Sequence, residues 1–90
     1  MNTSKHAKVR AQQRGIPPIL IDLLLQFGAA EPAGDGASKV LFDKRARQRV
    51  RRYAGALSAA INEHLDVYAV IGADNTVITV AHRTERIRRH

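Results

Sequence analysis

Hydrophobic residues along the chain recur with two different spacings, one typical of helices and one typical of strands. The clearest helical spacing lies in the segment "PILIDLLLQF", where Pro18 fits a first turn and Gly28 ends the element. Its apolar stripe consists of Leu20, Leu23, Leu24 and Phe27, widened by Ile19 and Leu25. A helix with so wide a stripe is predicted to form much of the core.

The preceding segment, "HAKVRAQQRGI", also has helical character but little to bury. Thr3 or Ser4 supplies a hydroxyl for its N-cap, and the helix is predicted to run to about Arg14, with Gly15 at its exit. Within this first helix Val9 is the only apolar side chain larger than alanine. The helix is therefore predicted to keep a polar surface.

β-Branched residues mark two strands near the end of the chain, "LDVYAVIG" and "NTVITVAHR". Asp74 and Asn75 tolerate positive φ and predict a two-residue hairpin turn between the strands. On the apolar face, this turn pairs Ile71 with Ile78, Ala69 with Val80 and Val67 with His82. On the polar face, it pairs Val70 with Thr79, Tyr68 with Ala81 and Asp66 with Arg83.

The middle of the chain predicts a strand and a basic helix. "SKVLF" has strand character, and the preceding "AAEPAGDGAS" is predicted to be a loop or the tip of a hairpin. Asp43 is a suitable N-cap for the segment "KRARQRVRRYAGALSAAINEHL", which Gly55 is expected to divide. The apolar stripe of that segment consists of Ala46, Val50, Tyr53, Ala54, Leu57 and Ile61.

Together these elements predict an α+β domain with the order α-α-β-α-β-β. Helices are expected to pack on one face of a small antiparallel sheet, because each element has a single apolar side to cover. The length of 90 residues fits a single domain over 1–90, in which 84–90 form a basic C-terminal extension.

Charge adds a partner class to this picture. The net charge is +7, and all 15 lysines and arginines fall in the blocks 5–14, 39–52 and 83–89. Clustered cations repel one another, and a polyanion such as nucleic acid relieves that repulsion; an acidic protein would do the same.

The absence of cysteine excludes disulfides, thiolate zinc sites and cysteine nucleophiles. No apolar run is long enough for a membrane span or a signal peptide, so the expected location is cytoplasmic.

The first helix carries a candidate constellation. At 100° per residue, His6, Arg10 and Gln13 lie within about 60° of one another, with Arg14 about 40° further on. Imidazole transfers protons near neutral pH and guanidinium binds phosphate through two hydrogen bonds, which are the groups that metal-free RNA cleavage requires. The alternative is a solvated helix surface.

Two further groups are candidates for binding or catalysis. The basic helix could track phosphates, or its cations could simply form a solvated face; they are Lys44, Arg45, Arg47, Arg49, Arg51 and Arg52. At the last strand, Thr79, His82, Arg83 and Arg86 cluster, although a packed His82 and an ion pair between Asp66 and Arg83 are the simpler roles. No histidine pair has metal-ligand spacing, so neither a metal nor another cofactor is expected.

The ends of the chain resemble known families. "HAKVRAQQRGI" and "VITVAHRTERIRR" are similar to small bacterial families of unknown function that open with His-Ala-x-x-Arg-x-x-x-Arg-Gly-Ile. Those families are related to RelE-like and BrnT-like toxins, whose helices pack on a curved antiparallel sheet. The resemblance implies a metal-independent endoribonuclease acting on mRNA, with an acidic antitoxin-like protein as a second partner.

By position, it indicates the catalytic candidates His6, Arg10, Tyr68, Thr79, His82 and Arg83. The candidates for nucleic-acid contact are Arg14, the six cations of the basic helix, Arg86, Arg88 and Arg89.

The chain departs from those families in its middle. RelE-like toxins join their central strands tightly, whereas this chain inserts "DKRARQRVRRYAGALSAAINEHL". The inserted helix could cover the sheet or supply a different binding surface. The alternative function is therefore a non-catalytic module that binds nucleic acid or an acidic protein on a toxin-like fold.

Overall fold

A computed structural model describes residues 2–83 of the chain. The elements are β1 (Asn2–Thr3), α1 (Lys5–Gln13), α2 (Pro18–Phe27), β2 (Ala29–Gly34), β3 (Ala37–Leu41), α3 (Lys44–Ala54), a 3-10 turn (Gly55–Leu57), α4 (Ser58–Asn62), β4 (Val67–Ile71) and β5 (Thr76–His82). The predicted extension 84–90, with Arg86, Arg88 and Arg89, lies outside the described residues.

The predicted α+β class is confirmed, but the predicted element order is wrong by two strands. The sheet has the order β1-β5-β4-β3-β2, with β1 parallel to β5 and all other neighbours antiparallel. The segment that contains β2 was expected to be a loop or the tip of a hairpin because of its Gly, Pro and Asp content. It is an edge strand, where Pro32 is tolerated because one side of the strand needs no hydrogen-bonding partner. Only Asp35 and Gly36, both at positive φ, form the hairpin tip.

The β4–β5 hairpin has the predicted pairing along most of its length. The pairs from Val67–His82 to Val70–Thr79 are as expected, but Ile71 pairs with Val77, so the predicted partner Ile78 is wrong. The turn contains three residues rather than two, with Asn75 at φ 66°, and a bulge at Ile78 restores the register. The bulge lets Val77 be completely buried while Ile78 remains 41% exposed.

The helices cover one face of this sheet, as predicted. α1 packs along β5, α2 packs over β3 and β4, and α3 packs against α2. Strand residues facing the helices are buried, whereas Tyr68, Val70, Thr79 and Ala81 on the opposite face are half-buried. The largest fully buried side chains are Phe42, Leu24, Leu65, Val50, Val67, Val77 and Val80.

Local capping sets the helix ends. Ser4 Oγ accepts a hydrogen bond from the Ala7 amide at 3.0 Å, and Asp43 Oδ1 accepts one from the Ala46 amide at 2.8 Å, which confirms both predicted caps. Gly55, at φ 58°, ends α3 and divides the basic segment as expected, since its lack of a side chain allows that conformation.

The apolar stripes predicted from helical spacing are buried only in part. Ala46 and Val50 of α3 are buried, but Tyr53 and Leu57 are 66% and 67% exposed. Ile61, beyond the break at Gly55, again packs against the core, so the exposed part of the stripe is confined to the end of α3 and the 3-10 turn. Ile19 of α2, expected to widen the core stripe, is 55% exposed.

Candidate nucleic-acid interface

The predicted group on α1 lies on the outer side of that helix. Arg10 Nε lies 3.4 Å from His6 Nε2, a long contact in which the arginine donates to a neutral imidazole. His6 and Gln13 are exposed and Arg10 is half-buried. The pair is therefore accessible to a phosphate.

The C-terminal end of α1 is joined to the end of β5 by two reciprocal contacts. Arg14 Nη1 donates to the Val80 carbonyl at 2.7 Å, and His82 Nε2 lies 2.7 Å from the Arg14 carbonyl. Because a carbonyl only accepts, Nε2 carries the hydrogen, and Nδ1 of a neutral His82 keeps its lone pair. His82 was expected to be packed, but it is exposed. α1 ends at Gln13, so no further turn of this helix covers the His82 end of β5.

The six predicted catalytic residues are not brought to one point. His6 and Arg14 are eight residues apart, which is about 12 Å along a helix, so His6 and His82 lie near opposite ends of α1. Tyr68 and Thr79 are on the sheet face away from the helices. There Lys39 Nζ lies 4.7 Å from the centre of the Tyr68 ring. A single composite active site is therefore absent among these side chains.

What the structure does assemble is a basic end of the sheet. The Arg83 amide donates to the Asp66 carbonyl at 2.8 Å, and Arg47 Nη2 contacts Asp66 Oδ1 at 2.6 Å. With His82 against Arg14, these contacts bring the three cationic blocks of the sequence together. We call Arg14, Arg47, His82 and Arg83 the basic end. The ion pair of Asp66 forms with Arg47, not with Arg83 as expected.

Arg47 differs from the other cations of α3 because its guanidinium is already engaged. Nε donates to the Phe42 carbonyl at 3.2 Å, and Nη2 donates to the Leu65 carbonyl at 3.4 Å as well as to Asp66. Its side chain is 25% exposed. Arg47 thus attaches α3 to the start of β4, a role that no local pattern predicted because Leu65 and Asp66 are 18 and 19 residues away.

The other cations of α3 form its outer face. Lys44, Arg45 and Arg52 are exposed, and Arg51 contacts Asn62 at 3.3 Å. Arg49 lies against the Phe27 ring, 5.6 Å from its centre. No acidic residue occurs in 44–62, and Arg47–Asp66 is the only ion pair between side chains within residues 2–83. This face therefore keeps its positive charge.

A cleft of about 660 Å³ between α1 and α2 is lined mainly by apolar residues and contains none of the predicted site residues. Residues 2–83 contain no group of three histidines or carboxylates placed to hold a metal ion, and none of their helices is long and apolar enough to cross a membrane. Comparisons of the chain with protein-family models, with curated proteins and with solved structures give no match.

Proposed function

We propose that the protein binds RNA through the phosphate backbone. The observation that carries this proposal is the meeting of three cationic blocks at the basic end, next to the outer face of α3. Guanidinium groups bind phosphate oxygens through paired hydrogen bonds, and neutralising phosphates releases counterions from the nucleic acid. A cytoplasmic location and an RNA partner belong to the same proposal.

A RelE-like or BrnT-like scaffold is a further part of the proposal. It is supported by the α+β class and by helices that cover a single face of an antiparallel sheet. The inserted α3 then acts as an added binding surface, because its cations point away from the sheet while Ala46 and Val50 hold it on the core. RNA is favoured over an acidic protein because the exposed cations of α3 continue from the basic end along the helix, as successive phosphates follow one another along a nucleic-acid backbone.

Binding is tested by fluorescence anisotropy with a labelled single-stranded RNA over a range of salt concentrations. We expect affinity to fall linearly on logarithmic axes between about 50 and 200 mM salt, with a slope of about −0.7 per phosphate contact. Arg83→Ala should make the slope shallower by about 0.7. Lys8→Ala, which removes an exposed cation on the side of α1 that lines the cleft, is the matched control and should leave the slope unchanged.

Two outcomes would overturn this function. One is the absence of RNA binding by the wild-type protein at low salt. The other is binding whose affinity does not change with salt. Capture of an acidic protein by a protein that fails to bind RNA would establish the alternative partner instead.

A second candidate, metal-independent RNA cleavage, is supported by the orientation of His82. With Nε2–H donated to Arg14, and with no hydrogen-bonding partner of Nδ1 among residues 2–83, Nδ1 would take the proton of a ribose 2′-hydroxyl as its oxygen attacks phosphorus. A 2′,3′-cyclic phosphate forms, and the departing 5′-oxygen takes a proton from water. Arg14 and Arg83 would stabilise the charge on the phosphorus oxygens.

Cleavage is tested by incubating the purified protein with RNA and a metal chelator and following the products on a gel. We expect His82→Ala to abolish cleavage with little loss of RNA affinity, because the arginines of the basic end supply its phosphate contacts. His6→Ala should retain cleavage, because His6 lies at the other end of α1. Intact RNA after incubation with the wild-type protein would rule out this second function and leave the binding function standing.

A further inference from the structure

Tyr53 is an exposed aromatic residue on the most basic helix of the protein. The sequence pattern predicted it in the core, yet 66% of it is accessible. Its ring packs against Phe27 with the ring centres 5.1 Å apart and the planes tilted by 53°. Phe27 is itself half-buried and joined to the core. One side of the Tyr53 ring is thus supported, and much of the remainder faces solvent.

Several arginines precede this ring along α3. Arg49 precedes it by one helical turn and lies against the same Phe27, while Arg52 is its exposed neighbour in the chain. Arg45 lies two turns before Tyr53 and is also exposed. Since 44–62 contain no carboxylate, nothing on α3 or α4 offsets this charge. The surface combines a supported aromatic ring with a run of guanidinium groups.

That combination is what single-stranded nucleic acids require. Stacking on an aromatic ring needs an unpaired base, whereas the guanidinium groups attract the flanking phosphates. A double helix, whose bases are already stacked on one another, gains only the second interaction. The charge of the surface argues against a second copy of this chain as its occupant, because two copies of α3 would bring like charges together.

We propose that Tyr53 is a stacking platform for an unpaired base of single-stranded RNA, with Arg49 and Arg52 on the adjacent phosphates. This inference rests on the proposed RNA-binding function and adds the strandedness of the substrate to it. It also gives a role to a large aromatic side chain that is exposed on a basic helix.

The test compares wild type, Tyr53→Leu and Tyr53→Phe in binding to single-stranded RNA and to a duplex of the same sequence. Tyr53→Leu keeps an apolar side chain but removes the ring, and we expect a loss of single-strand affinity of about 5- to 150-fold. Tyr53→Phe should bind like wild type. The slope of affinity against salt should be the same in all three proteins, because no phosphate contact is removed.

Tyrosine emission supplies a second readout, since the chain has two tyrosines and no tryptophan. Single-stranded RNA should quench the wild-type emission, and Tyr53→Phe should remove that quenching while keeping the affinity. Thermal unfolding of each variant shows whether a change in affinity reflects a change in folding.

The outcomes separate the two proposals. If wild type and Tyr53→Leu bind single-stranded RNA equally, the stacking platform is overturned and backbone binding remains. If wild type binds no RNA, both are overturned. If Tyr53→Leu converts a wild-type dimer into a monomer without changing RNA affinity, the surface is a protein contact and the stacking platform is again overturned.

Discussion

Replacing Arg47 with alanine should destabilise the protein, although Arg47 lies on the basic helix among residues expected to be solvated. The substitution removes a guanidinium that donates to the carbonyls of Phe42 and Leu65 and to the carboxylate of Asp66. The carboxylate contact contributes at most about 1 kcal/mol, because the Asp66 side chain is 70% exposed. The carbonyl contacts matter more, since their loss leaves partly buried acceptors without this donor.

The expected loss of stability in Arg47→Ala follows from these contacts. A hydrogen bond from a charged donor is worth about 1.5–3 kcal/mol, but distances of 3.2 and 3.4 Å favour the lower end. We therefore expect Arg47→Ala to lower the free energy of unfolding by about 2 kcal/mol. In a domain of this size, that corresponds to a decrease in Tm of about 8–16 °C.

The assay is urea unfolding followed by far-ultraviolet circular dichroism, with Arg45→Ala as the matched control. Both variants lose one positive charge from the same helix, so any relief of charge repulsion is similar in the two. Arg45 is exposed and makes no side-chain hydrogen bond within the described residues, so its replacement should change stability by less than about 0.5 kcal/mol. Equal unfolding midpoints for the two variants would refute the anchoring role of Arg47.

Two other substitutions test the fold. Gly28→Ala should lower the free energy of unfolding by about 1–3 kcal/mol, because a Cβ there would lie 2.5 Å from both the Leu24 carbonyl oxygen and a methyl of Val40. An unchanged melting temperature would contradict that close approach. Asp43→Ala should lower the free energy of unfolding by about 1 kcal/mol, because it removes the acceptor for the Ala46 amide. Asp43→Asn keeps an oxygen acceptor and should retain most of that stability. Equal losses of stability in the two variants, measured by urea unfolding, would show that the helix cap does not cause the effect.

Local signals in the sequence predicted the elements whose formation depends on neighbouring residues. Ser4 and Asp43 cap their helices as expected, and Gly55 divides the basic segment. The two-residue turn expected at Asp74 and Asn75 predicted four cross-strand pairs of the last two strands correctly, because the bulge at Ile78 compensates for the extra residue of the actual turn. The α+β class followed from the same patterns.

Edge and bulge positions did not follow from local patterns. β2 has the composition of a loop and becomes a strand only because β3 lies beside it and exchanges backbone hydrogen bonds with it. The β4–β5 register shifts at Ile78 because the actual turn is one residue longer than the predicted one. Tyr53 and Leu57 continue the helical spacing but are exposed, because helical spacing does not show how far along its length a helix is covered by the rest of the core.

The sequence by itself determined which residues form helices, which strands pair at the end of the chain, and that the cations occur in three separate blocks. Only the tertiary structure decided how those blocks meet. Arg14 reaches Val80 across 66 residues, and Arg47 reaches Asp66 across 19. The physical reason is that helix caps and strand alternation are satisfied by neighbours in sequence. The partners of a guanidinium or an imidazole, in contrast, depend on which elements the sheet brings side by side.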